Sequence, residues 1–159
     1  SETKRKILTV CVRLFLEQGY KNTSVSQIVD EAGVARGSYL NLFPTKDRIL
    51  LELTETMFGG QFGVARSIAD SKLPPVYAYA VETAIQMTLT ELNENLREIY
   101  IEAYTQKEAS EFIFRETAKE LYQIFGPYQP ELTARDFMTW RSAQPASCAA
   151  TWPTPATRS

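Results

Sequence analysis

The side chains able to do acid–base or metal chemistry in this 159-residue chain are mostly carboxylates, because the sequence contains no histidine. Histidine is the commonest general base near neutral pH and the commonest metal ligand. Four glutamates repeat on one face of a predicted helix, but a di-iron site in a helical bundle also needs Glu-x-x-His motifs. We therefore interpret them as solvated surface and expect no catalytic residue, no metal and no cofactor. The four are Glu91, Glu94, Glu98 and Glu102.

The two cysteines, Cys11 and Cys148, form no CxxC pair and cannot build a disulfide framework. This cysteine usage favours a reducing, cytoplasmic location. The sequence contains no apolar run of about 18 residues, so it predicts no membrane span. Hydrophobic residues make up 44% and charged residues 23% of the chain, which is typical of a globular protein.

The charge is spread unevenly along the chain. Residues 1–50 contain eight Lys/Arg and five Asp/Glu, a net charge of +3, whereas residues 51–159 have a net charge of −5. A basic N-terminal segment followed by an acidic remainder indicates that the N-terminal segment meets an anion such as DNA.

A set of polar and small residues between positions 35 and 41 has the types and spacing needed to contact duplex DNA. A helix that enters the major groove needs small residues at its start, and Ala35, Gly37 and Ser38 supply them. Arg36 can bind a phosphate or the edge of guanine, and Asn41 a base or the sugar–phosphate backbone. The alternative is that the charged side chain is merely solvated.

Three further residues suit phosphate contacts at the starts of helices. Ser24 and Ser26 begin one predicted helix, whose N-terminal amides and hydroxyls fit a phosphate. Lys46 begins another, where its ammonium and the backbone N–H groups can bind the same phosphate. The alternative is that residues such as Ser24 and Thr45 only cap their helices.

Short helices separated by turn signals must position these residues. Apolar spacing predicts a first helix that ends at a left-handed Gly19, and a second that begins at Ser24. Gly33 marks a tight turn, and a third helix over residues 35–42 is stopped by Pro44. Two short helices joined by a glycine-containing turn form a helix-turn-helix.

The rest of the chain predicts a helical bundle. A fourth helix begins at Lys46, and its pattern loosens at Gly59, Gly60 and Gly63, where we expect a kink or a break. Later helices are predicted from Pro74-Pro75 to about Asn93, after a capping Asn95, over about 108–125, and from Glu131. The predicted inward faces of the fifth, sixth and seventh helices are Val81, Ala84, Ile85, Thr88 and Leu92; Leu96, Ile99, Tyr100, Ala103 and Tyr104; and Ile113, Thr117, Leu121 and Ile124.

We therefore predict an all-α fold with three parts. A three-helix helix-turn-helix head covers residues 1–48, a helical body covers 49–141, to which the family resemblance given below assigns ligand sensing and dimerisation, and an irregular tail rich in Ala, Pro, Ser and Thr covers 142–159. The helical pattern stops abruptly at Arg141, so we expect a truncated body and a chain that, as written, is monomeric or weakly dimeric. The remaining interface would then consist of Leu132, Phe137, Met138 and Trp140.

A run of short elements in the head points to a known family. In order, they are Ile7-Leu8, Leu14-Phe15, Gly19-Tyr20, Thr23-Ser24-Val25, Ile28-Val29, Ala32-Gly33-Val34, Gly37-Ser38, Phe43-Pro44 and Lys46. With these elements in register, residues 5–51 resemble the DNA-binding head of tetracycline-repressor-like (TetR family) regulators. The resemblance implies a ligand-responsive DNA-binding transcriptional regulator, a repressor released from its duplex operator by a small apolar or amphipathic effector. It also implies a homodimer in the native full-length protein.

Two positions of the third helix depart from the family pattern. Leu40 stands where the family has a tyrosine that contacts a phosphate, and Leu42 where it often has histidine. Tyr39 is therefore either a replacement DNA contact or, because adjacent helical residues differ by about 100°, an inward-facing residue.

The resemblance also implies an effector pocket between the body helices. The alternative for each candidate is that it belongs to the core. The candidates are Phe58, Phe62, Ile85, Met87, Tyr100, Tyr104, Ile113 and Thr117. Two other functional hypotheses remain: a helical interaction module whose head does not bind DNA, and a small helical-bundle enzyme, against which the absence of catalytic motifs argues.

Overall fold

The computed structural model describes residues 1–68 and 73–142, and all regular secondary structure in these residues is helical. The N-terminal helices are α1 (Glu2–Gln18), α2 (Val25–Ala32), α3 (Arg36–Leu42) and α4 (Lys46–Ile68). They are followed by α5 (Pro75–Leu92), α6 (Glu94–Thr105), α7 (Lys107–Phe125), a 3₁₀ turn (Gly126–Tyr128) and α8 (Ala134–Ser142). The predicted all-α fold is confirmed. In these described ranges, no helix has both the length and the apolar character to cross a membrane.

The helix-turn-helix forms where the turn signals predict it. The Ser24 hydroxyl accepts a hydrogen bond from the Gln27 amide at 3.2 Å and caps α2. Gly33 ends α2 in the left-handed conformation, with φ 61° and ψ 39°. The third helix starts after Ala35 and ends at Leu42, two residues before the proline that cannot continue it.

The glycines of α4 do not interrupt it. The helix is continuous from Lys46 to Ile68, so the expected break at Gly59, Gly60 and Gly63 is wrong. Each helical glycine costs about 1 kcal/mol relative to alanine, so the three together cost about 3 kcal/mol without ending the 23-residue helix.

Two helix starts differ from the prediction. The cap of α6 is Asn93, whose side-chain oxygen accepts a hydrogen bond from the Leu96 amide at 2.8 Å, whereas Asn95 lies inside the helix. The last helix begins at Ala134 rather than Glu131. Its preceding turn is fixed by the Asp136 carboxylate, which accepts hydrogen bonds from the amide and the hydroxyl of Thr133, both at 2.7 Å. These bonds hold the pKa of Asp136 below its usual value.

The buried face of α5 is also not the predicted one. The structure buries Ala78, Glu82 and Thr90, whereas Ala84 and Thr88 are exposed and Leu92 is 78% exposed. This helix has apolar residues on most of its circumference, so the spacing of apolar residues does not select one face. The inward faces predicted for α6 and α7 are confirmed, with Ile99, Tyr100 and Ala103 buried on α6 and Ile113, Thr117, Leu121 and Ile124 on α7.

The chain divides into two compact units, residues 1–113 and 114–159. In the first, the core joins the helix-turn-helix to the later helices: Phe15, Ile28, Tyr39 and Leu50 belong to the same cluster as Tyr100 of α6. In the second, the rings of Tyr122 and Phe137 meet edge-on at a centroid distance of 5.7 Å. Of the predicted tail, Ser142 is the last residue of α8, and the remainder lies outside the described residues.

Candidate nucleic-acid interface

Tyr39 is the buried residue of α3 and anchors that helix to the core. Its side chain is fully buried, and its ring lies 6.1 Å from the ring of Phe43. Burial raises the pKa of Tyr39 to about 12, and its hydroxyl has no hydrogen-bond partner. The prediction of Tyr39 as a DNA contact is therefore wrong, and the inward alternative is confirmed, because this side chain cannot reach a ligand on the surface.

With Tyr39 inward, the opposite side of α3 faces out. Arg36, Gly37, Ser38 and Asn41 are all exposed, as is Ala35 at the helix N-cap. A β-carbon on Gly37 would meet no other atom within 4 Å. The structure thus presents small residues at the start of the helix and a polar amide one turn later, as the sequence predicts for an element that enters the major groove.

Arg36 connects the two helices of the motif. Its guanidinium donates a hydrogen bond to the Ser26 hydroxyl at 3.3 Å, in the first turn of α2. Ser24, one residue before α2, is exposed on the same turn. The structure therefore brings a cation and two hydroxyls together beside the N-terminus of α2, where backbone amides and the helix dipole favour an anion.

Lys46 is already engaged within the chain. Its ammonium donates hydrogen bonds to the backbone carbonyls of Tyr20 at 2.7 Å and Thr23 at 3.0 Å, and lies 4.1 Å from the centre of the Tyr20 ring. Burial lowers its pKa, which the nearby carboxylates partly oppose. A lysine ammonium has three donors, so one remains for a phosphate, and the first role of Lys46 is to tie the α1–α2 loop to α4.

Most cations of the N-terminal segment are paired within the chain. Of the eight Lys and Arg residues in positions 1–50, five make ion pairs with carboxylates, which reduces the positive potential available to a nucleic acid. The pairs are Lys4–Glu52 at 2.6 Å, Lys6–Glu2 at 3.2 Å, Lys21–Glu102 at 3.0 Å, Arg48–Glu108 at 2.5 Å, and Arg13 with both Glu17 and Glu31.

Three polar residues of α6 join this helix to the end of α1 and the α1–α2 loop, and we call them the α6 clamp. The Asn95 amide donates a hydrogen bond to the Leu16 carbonyl at 2.7 Å, and the Glu98 carboxylate accepts one from the Tyr20 amide at 3.0 Å. Glu102 pairs with Lys21. The interpretation of Glu98 and Glu102 as merely solvated is therefore wrong. Their spacing with Asn95, at i, i+3 and i+7, was the available signal that they share one face.

A second polar contact joins the start of α4 to the α6–α7 turn. The Tyr20 hydroxyl donates a hydrogen bond to Asp47 at 2.9 Å, and the Gln106 amide donates to both the Tyr20 hydroxyl at 3.2 Å and Asp47 at 3.1 Å. Burial raises the pKa of Tyr20. Tyr20 is thus bound by residues of α4, of α6 and of the α6–α7 turn, so a displacement of α6 or of this turn would be felt at the first turn of α4.

Comparison with known proteins supports the same reading of the N-terminal region. Residues 7–53 match the model of the bacterial regulatory proteins of the tetR family. The helix-turn-helix region of the chain is therefore similar to that of tetR-family regulators. This family consists of transcriptional regulators and not of enzymes.

The curated relatives of this chain are regulators too. The HTH-type transcriptional regulator YuxN of Bacillus subtilis (strain 168) is 29% identical over 61% of this chain and 31% of its own length. LmrA of the same organism is 29% identical over 77% of this chain and 66% of its own length. The HTH-type transcriptional repressor KstR2 of Rhodococcus jostii (strain RHA1) is 32% identical over 46% of this chain and 36% of its own length. The chain thus spans less than two thirds of the length of these relatives. No solved structure matches it.

Of the predicted effector residues whose side chains the structure describes, Ile85 is the one that lines the apolar depression on α5. Tyr100 and Ile113 belong to the core shared with the helix-turn-helix, Thr117 is buried, and Tyr104 is half-buried. Met87 is 47% exposed. The side chains of Phe58 and Phe62 lie outside those that the structure describes.

Ile85 lies in an open apolar depression of about 320 Å³ along α5. The other residues that line this depression are Val81, Ala84, Thr88 and Leu89. Across the described residues, the acidic and cysteine side chains form no cluster of three that could hold a metal ion.

Proposed function

We propose that this chain is a DNA-binding transcriptional regulator, a repressor, whose residues 1–48 read a duplex operator. The observation that carries the proposal is the orientation of α3, in which the buried Tyr39 leaves Arg36, Gly37 and Asn41 on the outer surface of a TetR-family helix-turn-helix. Such a regulator acts where its DNA lies, in the cytoplasm.

Selection of DNA from a randomised duplex pool tests this proposal. We expect the wild-type protein to enrich a specific sequence. Replacing Arg36 or Asn41 by alanine should weaken binding to it by about 1–3 kcal/mol and relax the preference at the contacted base pair. The control is Lys119→Ala, which removes an exposed cation outside the helix-turn-helix. Failure to enrich any sequence at low salt would contradict the proposal and favour the alternative of a helical interaction module.

Ser24, Ser26 and Lys46 complete the proposed interface as phosphate contacts. Lys46→Met should weaken binding to all duplexes and reduce the slope of log K against log salt by about one. The mutant protein is to be compared with wild type by fluorescence anisotropy between about 50 and 200 mM salt, within the range where this dependence is steep. An unchanged slope would show that the third ammonium donor does not meet a phosphate.

We propose that a small apolar or amphipathic effector binds the body, residues 49–141, and releases the repressor. The apolar depression on α5 supports this proposal, because apolar surface with few polar groups is typical of such sites. The α6 clamp supports a route to the DNA-binding helices, since it fixes the α1–α2 loop directly. An effector that favours a different position of α6 would shift the population of head orientations.

A hydrophobic dye tests the effector site. We expect 1-anilinonaphthalene-8-sulfonate to gain fluorescence with the wild-type protein and much less with Ile85→Glu, because a carboxylate in the depression disfavours an apolar, anionic ligand. Met87→Glu, which alters an exposed residue of the same helix that does not line the depression, is the control. Equal fluorescence with wild type and Ile85→Glu would place the dye elsewhere.

We also propose that the native full-length protein is a homodimer, because two-fold operators need two recognition helices about 34–36 Å apart. The exposed Leu132 and Met138 near and on α8 support an interface there. Sedimentation velocity on the protein is the test. A dimer that weakens when Met138 is changed to aspartate would support an interface at α8, and a dimer that this change leaves intact would place the interface elsewhere.

A further inference from the structure

Two leucines of α3 are exposed although the helix is anchored by other residues. Leu40 is 43% exposed and Leu42 is 37% exposed, whereas Tyr39 and Phe43 supply the contacts with the core. Leu40 lies about 100° around the helix from the buried Tyr39, toward the outward residues Gly37 and Asn41. Leu42 lies about 60° from Tyr39 and so nearer the core side.

The surface beside Leu40 is open to the approach of a nucleic acid. Gly37 lies one helical turn before Leu40 on the same side, and a β-carbon there would meet nothing within 4 Å. A side chain with four carbons therefore projects beside a position that has none. Because Leu40 projects and Gly37 does not, the edge of a base pair can approach the backbone at Gly37 and contact the Leu40 side chain at the same time.

The chemistry of base-pair edges restricts what an aliphatic side chain can recognise. Donors and acceptors make up the major-groove edges of all four base pairs, and the one apolar group is the C5-methyl of thymine. Leucine has no donor or acceptor and gains free energy only by removing apolar surface from water. Asn41, the next residue along the chain and also outward-facing, has the amide that pairs with adenine N6 and N7.

We propose that Leu40 is a specificity-determining residue that contacts a thymine C5-methyl in the major groove, beside an adenine contacted by Asn41. This inference rests on the proposed DNA-binding function and adds to it the type of base pair that is recognised. The part of the operator that α3 contacts should contain A·T pairs. Leu40 then contributes to base specificity and makes no hydrogen bond to a phosphate.

Uracil substitution tests the contact because it removes only the methyl group. The probe is the duplex that the wild-type protein enriches from the randomised pool, with each thymine replaced in turn by deoxyuridine. At the contacted thymine, wild-type affinity should fall about fourfold, the equivalent of one buried methyl group. With Leu40→Ala, thymine and uracil duplexes should bind equally. Leu42→Ala is the matched control and should retain the wild-type ratio.

The outcomes separate this inference from the function on which it rests. If the wild-type protein enriches no duplex, the proposed function fails. If it enriches a duplex but every thymine can be replaced by uracil without loss, DNA binding stands and the role of Leu40 is overturned. A uracil effect that persists in Leu40→Ala would assign the methyl contact to another residue. Leu40→Met, which keeps an apolar side chain of similar volume, should preserve part of the ratio.

Discussion

Gly19 lies where the α1–α2 loop contacts α6, and alanine at this position should destabilise the protein strongly. Its φ of 90° is a conformation that residues with a β-carbon rarely adopt. Its ψ of 154° lies outside the left-handed helical region that the sequence predicts for this residue. A β-carbon here would also lie 2.6 Å from Oε2 of Glu98, which is too close for any real contact. The substitution therefore strains the backbone and displaces a carboxylate.

The two effects have separate magnitudes. In this region of φ and ψ, which essentially only glycine adopts, the strain costs a residue with a β-carbon about 1–3 kcal/mol. The Glu98 side chain can move away, but it then gives up its hydrogen bond with the Tyr20 amide, a bond to a charged group whose loss costs about 1.5–3 kcal/mol. Gly19→Ala should therefore reduce the free energy of unfolding by about 3–4 kcal/mol and lower Tm by about 10 °C for a chain of this size.

Two other glycines provide matched controls for this measurement. Gly33 has φ 61° and open space around its Cα, so Gly33→Ala should cost only the strain, about 1–2 kcal/mol. Gly37 lies in α3 with a negative φ and open space, so Gly37→Ala should stabilise the protein by up to about 1 kcal/mol through helix propensity. Urea denaturation followed by circular dichroism gives all three values under one set of conditions.

A double variant decides whether the carboxylate is the cause. In the Glu98→Ala background, the additional cost of Gly19→Ala should fall to the strain alone, because the remaining neighbours of the new β-carbon, Asn95 Oδ1 at 3.4 Å and Asn22 Nδ2 at 3.6 Å, are at ordinary contact distance. The reasoning is refuted if Gly19→Ala is no more destabilising than Gly33→Ala, or if its cost is the same with and without Glu98.

Four further predictions concern three groups of the first unit, the buried Tyr39 and Cys11 and the half-buried Lys46. Tyr39→Phe should raise the free energy of unfolding by about 1 kcal/mol in urea denaturation, because it removes a buried hydroxyl that has no partner, and a loss of stability would show that the hydroxyl is bound. Burial raises the pKa of Cys11 to about 12, so in Cys148→Ser protein this thiol should react with an aromatic disulfide reagent only after unfolding. The thiol of the unfolded chain ionises near pH 9, whereas burial keeps the pKa of the folded thiol at about 12. The free energy of unfolding should therefore fall as the pH rises from about 9 to about 12. A free energy of unfolding that does not change over this pH range would contradict the burial of Cys11. Lys46→Met should reduce the free energy of unfolding by about 2 kcal/mol, because two backbone carbonyls lose their hydrogen-bond donor. The exposed control Lys6→Met should reduce it by less than about 0.5 kcal/mol. Equal reductions would mean that Lys46 does not stabilise the contact between the α1–α2 loop and α4.

The helix-turn-helix could be predicted closely because its signals are local. A hydroxyl at Ser24, a left-handed glycine at position 33 and a proline at position 44 each act within three or four residues. The inward orientation of Tyr39 follows from helical register in the same way. In α5, by contrast, apolar residues surround the helix, and only tertiary packing selects the face with Ala78 and Thr90.

The polar contacts of the candidate site could not be predicted because they join distant parts of the chain. Glu98 meets the Tyr20 amide across 78 residues, and Lys46 meets the Tyr20 carbonyl across 26. Residue type and spacing showed that each side chain was polar and on which helical face it lay. They do not show which backbone groups are left without partners in a loop elsewhere, and those groups decide where Glu98 and Lys46 bind.

Two of the three contacts of the α6 clamp, those of Asn95 and Glu98, are made to main-chain groups of the head, and this has a consequence for how such a protein can diversify. Asn95 is bonded to the Leu16 carbonyl and Glu98 to the Tyr20 amide, so these two bonds survive a change of side chain at position 16 or 20. A change at Asn95 or Glu98 removes them. Substitutions on the two sides of this contact therefore have unequal effects. Side chains of the head, including those proposed to read DNA, can change in evolution while the two hydrogen bonds to α6 are kept.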